Sequence, residues 1–257
     1  MKKLARFFNW KNRSPISIVY LILRLSVILV IIDQISTRDY ENIFLCILTL
    51  ILFLVPSFIE KRINIDIPDT LETIILLFIY SAEILGEIKE YYLLYPYWDT
   101  VLHTLNGFLA AAIGFSLINI LNKNDKFAIS LSPLFVSLVA FCFSMTIGVI
   151  WEFFEFSMDQ FMGLDMQKDT YITAFQSVLL NPDGVNIPIK VNIESVVVNG
   201  ETWKGYIDIG LIDTMIDLVV NFIGAFVFSI FGYFYIKNEG KSNFLKRFIL
   251  KIKKNEG

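Results

Sequence analysis

Only two cysteines occur in the 257 residues, Cys46 and Cys142, and both lie inside apolar runs. They offer no disulfide framework and no Cys-x-x-Cys pair, which argues against thiol redox chemistry and a zinc–thiolate site. Histidine is scarcer still, since His103 stands alone. Charged residues make up only 18% of the chain, and the net charge of −3 says little by itself. Internal repeats and low-complexity tracts are absent. No small-residue cleavage site follows the basic start at 1–13, so this start is expected to stay as an anchor and not to be removed as a signal peptide.

What the chain has in excess is apolar surface: 55% of residues are hydrophobic and 15% aromatic, with a mean hydropathy of +0.60. Soluble domains seldom reach such values, and several runs of about 18 or more apolar residues are visible. The chain is therefore a polytopic membrane protein whose first partner is the lipid bilayer. Nucleic-acid binding and soluble cofactor folds are excluded on the same ground.

The expected fold is an all-α integral membrane protein, a six-helix transmembrane bundle forming one membrane domain. Its spans fall at about 16–32, 42–59, 69–88, 99–121, 131–159 and 211–236, with Pro68 a helix-start signal for the third. Basic interfacial helices are expected at both ends. One is 1–13, where Phe7, Phe8 and Trp10 sit among cations; the other is 241–254, with Phe244, Leu245, Phe248, Ile249 and Ile252 on one face. Most of the 22 basic residues fall on one side when the N-terminus is placed inside. The other side holds Arg38, Lys89, Lys168, Lys190 and Lys204, so both termini are expected to be cytoplasmic at a bacterial plasma membrane.

The long connection 160–210 then lies outside. Its second half is rich in β-branched residues over 185–198, followed by Asn199-Gly200 and a further extended stretch at 201–209. That pattern predicts a small extracytoplasmic β-hairpin flap between the fifth and sixth spans.

With this orientation, polar residues on four spans converge. The third and fifth run outward and end on Glu83, Glu87, Glu152, Glu155 and Asp159. The fourth and sixth run inward and begin with Asp99, His103, Asp213, Asp217 and Asn221. On a helix each set shares one face over a turn or two. Carboxylates within a span cost a few kcal/mol unless they meet protein, water or a cation, and several together call for counter-charge. A divalent metal supplies it, and one imidazole among carboxylates suits zinc, manganese, magnesium or iron. The expected ligands are Asp99, His103, Glu152, Asp213 and Asp217. Glu155 or Asp159 is the expected general base on a metal-bound water, and Glu83, Glu87 and Asn221 line the site. The plainer alternative is that these acids are solvated at the interface, with Asp99 and Asp213 acting as helix N-caps. Arg24, alone in the first span, is expected to snorkel or to pair with Glu72 or Glu83. Gly107, Gly114, Gly148 and Gly224 are expected to allow close helix packing.

At these residues the chain resembles the YjdF-type family of predicted bacterial inner-membrane proteins. The family's Tyr-Asp-x-x-x-His-x-x-x-Gly pattern reads Trp98-Asp99, His103 and Gly107 here. Its Glu-x-x-Glu-Trp reads Glu152 with Glu155-Phe156, and its Asp-Thr-x-x-Asp reads Asp213-Thr214 with Asp217. The family often carries a further Asp three residues before the Asp-Thr pair, where this chain has Gly210, and the outer loop is longer here. The resemblance supports a site and implies no reaction.

The polar ring points first to a metal-dependent hydrolase or transferase acting on a lipid-linked or cell-envelope substrate. Two alternatives stay open: a cation or proton transporter using the same acids, and a non-enzymatic scaffold or sensor.

Overall fold

A computed structural model describes residues 15–122 and 131–252. The expected N-terminal interfacial helix and the basic link carrying Lys123 and Lys126 lie outside the described residues. The chain is mostly helical. Five helices are long and apolar enough to cross a membrane: Pro15–Thr37, Tyr40–Ile63, Trp98–Asn122, Pro133–Met162 and Leu211–Lys237. The elements in order are α1 (Pro15–Thr37), α2 (Tyr40–Leu52), α3 (Val55–Ile63), β1 (Ile65–Asp66), α4 (Asp69–Tyr80), α5 (Tyr91–Leu94), α6 (Trp98–Asn122), α7 (Pro133–Ser157), β2 (Thr170–Ile172), β3 (Ala174–Ser177), β4 (Ile189–Asn192), β5 (Val196–Val198), β6 (Glu201–Trp203), β7 (Tyr206–Asp208), α8 (Leu211–Lys237) and β8 (Lys251–Ile252). α4 runs on into a π-helical stretch, Ser81–Ile88, and α7 into another, Met158–Met162.

Contacts group the residues into two compact units, one made of the chain up to Gly148 together with Val220 onward, the other Val149–Val219. Both junctions fall inside unbroken helices, α7 and α8.

The first unit has two apolar cores. One joins α1, α2 and α4 with the π stretch through Leu23, Val27, Cys46, Phe53, Leu76 and Ile84. The other joins α6, α7 and α8 through Leu109, Phe115, Val136, Ala140, Ala225 and Phe228. Phe228 sets its ring edge-on to Phe108 and Phe115, at centroid distances of 5.0 and 5.9 Å. Between α2 and α3 the helix breaks over Phe53 and Leu54, which lets Pro56 sit in a first turn where its missing N–H costs nothing. Arg24 makes a different contact from the expected ion pair. Its guanidinium lies 4.9 Å from the centre of the Tyr20 ring, and the Tyr20 hydroxyl donates to Glu72 at 2.6 Å. A cation over an aromatic face that is itself bonded to a carboxylate keeps both charges compensated.

The C-terminal segment corrects another expectation. Instead of an interfacial helix it makes one 3-10 turn, Leu245–Arg247, and then a strand antiparallel to β1, pairing Ile65 with Ile252 and Asp66 with Lys251. Leu245, Phe248, Ile249 and Leu250 are all buried. Their apolar surface finds protein in place of lipid, and the β1–β8 ladder satisfies the backbone that a helix would have satisfied internally.

In the second unit the predicted hairpin is present. Val198 pairs with Glu201 across Asn199 and Gly200, whose φ values of 51° and 85° are both left-handed, as a two-residue type I′ turn requires. The flap is larger than the one hairpin expected. Residues 174–177 pair with 189–192 just ahead of that hairpin, and residues 170–172 pair with 206–208, an outer antiparallel ladder that encloses both in sequence.

Candidate metal centre

The site is built upward from a knot in the first unit where α6, α7 and α8 touch. A Cβ at Gly107 would fall on the Asn221 carbonyl oxygen, and one at Gly224 on the Thr104 carbonyl oxygen, so α6 and α8 cross with nothing between their backbones. Ser144 of α7 donates to the Gly107 carbonyl at 2.7 Å. Asn221, 1% exposed, accepts from Asn106 Nδ2 at 3.2 Å and donates to the Ser144 carbonyl at 3.5 Å. Gly148 leaves room for that amide: a Cβ there would lie 2.6 Å from Asn221 Nδ2. Asn221 thus ties three helices together, a structural task for a residue the sequence pattern set among the site's lining.

Each of the three helices also carries a side chain that can bind metal. His103 precedes Gly107 by four residues, Glu152 follows Gly148 by four, and Asp217 precedes Asn221 by four. A four-residue step keeps the same helix face and moves about 6 Å along the axis. His103, Glu152, Glu155 and Asp217 are all buried, and one ligand atom of each lies within 4.8 Å of the others. Metal–ligand bonds of about 2.0–2.2 Å put opposite donors about 4.4 Å apart, so this group could hold a metal ion. A second group, Asp99, Asp213 and Asp217, meets the same distance and is more exposed.

Several of these side chains have further partners. Asp99 Oδ1 is 3.5 Å from His103 Nε2, one turn away on α6. The Trp151 indole donates to Glu155 Oε1 at 2.8 Å, fixing the direction of that carboxylate. The carbonyl of Ser81, in the π stretch that carries Glu83 and Glu87, accepts from the Trp98 indole at 3.2 Å. Glu83 and Glu87 belong to neither group of potential ligands.

Asp159 has a different task. One of its oxygens accepts from the Met166 N–H at 2.6 Å and the other from the Gln167 N–H at 2.9 Å. Asp213 Oδ2 accepts from the Lys168 N–H at 2.7 Å, and the Gln167 side chain donates to Thr214 Oγ1 at 2.5 Å. Residues 166–168 therefore form a crossbar held by the end of α7 and the start of α8. Asp208, three residues ahead of α8, accepts from the Ile212 N–H at 2.8 Å and so satisfies a donor in the first turn of that helix. The capping role weighed as the plainer alternative for Asp213 thus falls to Asp208, an Asp a few residues ahead of an apolar helical run. Beside this crossbar, lost solvation pushes the Asp169 carboxyl above its ordinary range, with Asp165, Asp208 and Asp159 adding charge repulsion.

No curated protein and no solved structure matches the chain. The model of one family does match, over residues 18–238, which takes in every residue named in the two ligand groups. The chain accordingly belongs to the family described as predicted membrane protein (DUF2238).

Proposed function

We propose that this protein binds one divalent metal ion at the extracytoplasmic end of a six-span bundle. The ion would serve hydrolysis or group transfer on a lipid-linked or cell-envelope substrate. The observation that carries this reading is the buried group of His103, Glu152, Glu155 and Asp217, with donor atoms within 4.8 Å of one another. Buried acids at this density call for a compensating cation, and an imidazole in their midst favours a metal over a proton shared among carboxylates. His103, Glu152 and Asp217 hold the ion. Asp99 steadies the imidazole through the ring nitrogen it faces, the usual partner of a metal-bound histidine. Glu155, its direction set by Trp151, would serve as the general base, and a bound ion would supply the lowered pKa of the water that such a base needs. Asp159 is left out of the chemistry, because both its oxygens are engaged by backbone N–H groups.

The six spans are the five long apolar helices and the helical run 69–88, in which α4 continues as a π-helix. The bias of basic residues toward one side supports cytoplasmic termini at a bacterial plasma membrane, with the β module outside. The test is metal analysis of protein purified without chelator, followed by thermal unfolding with added zinc or manganese. Stoichiometric metal and a stabilisation lost in His103→Ala support the reading. Metal-free protein that no divalent ion stabilises would overturn it.

A further inference from the structure

The expected amphipathic tail turns back into the protein. After α8 the chain reverses through two left-handed residues, Glu239 and Gly240, with φ values of 54° and 73°. The Gly240 N–H closes the reversal onto the Tyr235 carbonyl at 2.8 Å. From there the chain re-enters the first unit. Phe244 meets Phe231 at a ring distance of 6.4 Å, and Phe248 reaches Phe108 at 5.4 Å. Leu250 donates its N–H to Ser116 Oγ at 3.0 Å, and residues 251–252 pair with β1. Phe108 lies eight residues before Ser116 on α6, so the segment spans about 12 Å of that helix. The cationic side chains Lys246, Arg247 and Lys251 stay exposed while Leu245, Phe248, Ile249 and Leu250 are buried.

This end of the unit is not uniformly apolar. Ser116, Asn119, Ser137 and Ser229 are buried in the halves of α6, α7 and α8 away from the carboxylates. The hydroxyl oxygens of Ser137 and Ser229 have no hydrogen-bond partner among the described residues. Buried hydroxyls of this kind take up water wherever a route opens. We propose that residues 244–252 are a re-entrant plug that excludes water from the end of the helices remote from His103. Their polar interior is thereby closed to the cytoplasmic side. The segment lies past the residues covered by the family match, and the proposal holds whether or not a metal binds.

The test is thiol labelling in nanodiscs, where both faces are open to reagent. In a background with Cys46→Ala and Cys142→Ala, the Ser116→Cys and Asn119→Cys variants are exposed to a charged, water-soluble maleimide. The exposed position Asn243→Cys gives the reference rate. Both buried positions are expected to react at least about 100-fold more slowly than the reference, and adding Phe248→Asp is expected to speed them about 10-fold or more. Labelling of either buried position at the reference rate in the otherwise intact chain would overturn the proposal. So would a folded Phe248→Asp protein that gives no acceleration. Should Phe248→Asp fail to fold, hydrogen exchange over 244–252 in the unmodified chain decides: strong protection supports the plug, and exchange at the rate of unstructured chain rules it out.

Discussion

The crossing of α6 and α8 predicts how single methyl groups rank by cost. At Gly107 and Gly224 an added Cβ meets a carbonyl oxygen of the facing helix, which cannot rotate away. Real Cβ contacts stay above 3.0 Å, so the helices must separate. Overpacking of this kind costs about 1–3 kcal/mol. Separation also stretches the bonds from Asn106 to Asn221 and from Ser144 to the Gly107 carbonyl, worth about 0.5–1.5 kcal/mol each. Replacing a helical glycine by alanine returns about 1 kcal/mol of helix propensity. The clash wins, and the net loss is roughly 1–5 kcal/mol. For a chain of this size each kcal/mol lowers Tm by about 2–4 °C. Gly232→Ala provides the contrast, because the added methyl meets the ring edge of Phe115 at 2.7 Å and a ring can tilt. Thermal unfolding of purified protein in detergent should rank Gly107→Ala and Gly224→Ala well below Gly232→Ala. Equal melting temperatures for all three, or the reverse order, would refute the close crossing and with it the knot around Asn221.

Saturation with zinc or manganese at about 100 times the Kd should stabilise the unmodified protein by about 2.7 kcal/mol. Thermal shift assays on His103→Ala and Asp217→Asn should show most of that gain lost, and an undiminished shift in both would count against the ligand set. Asp169→Asn should leave the acid-side stability unchanged and raise it at neutral pH. The folded-state pKa of Asp169 lies above its unfolded value, so its ionisation opposes folding increasingly as pH rises through that range. Paired melting curves across pH check the sign, since a gap that widened toward low pH would contradict it. Gly200→Val places a β-branched residue at a φ of 85°, a strain of about 1–2 kcal/mol. Limited proteolysis should cut near residue 200 faster in that variant, with the helices left intact.

The apolar runs made the long helices legible, and Asn199-Gly200 made one turn legible down to its backbone conformation. The recurring four-residue steps of His103 to Gly107, Gly148 to Glu152 and Asp217 to Asn221 were legible as shared faces. The packing role of Gly107 and Gly148 and the ligand character of His103, Glu152 and Asp217 were read there too; the packing role of Asn221 was not, since an amide one turn along from Asp217 looks like a further member of the same polar face. Asp159 has the same spacing from Glu155 that Asp217 has from Asp213. Its different task arises because α7 loosens into a π turn after Ser157 and the chain folds back onto it. Strands at 170–177 escaped notice because each is three or four residues long and pairs with a partner far along the chain. The C-terminal segment misled for a related reason. An apolar face beside cations fits an interfacial helix equally well, and only Ser116, Phe108 and Ile65, distant in sequence, decide against it.

The crossbar at residues 166–168 separates what must be constant from what is free to vary. Asp159, Asp213 and Thr214 clamp it from the two helix ends, and the β2–β7 ladder follows within a few residues. Everything strung between Ile172 and Tyr206 hangs from that clasp. A lineage could lengthen, trim or exchange this ornament while the clasp itself is kept, much as a lampshade is changed without rewiring the lamp.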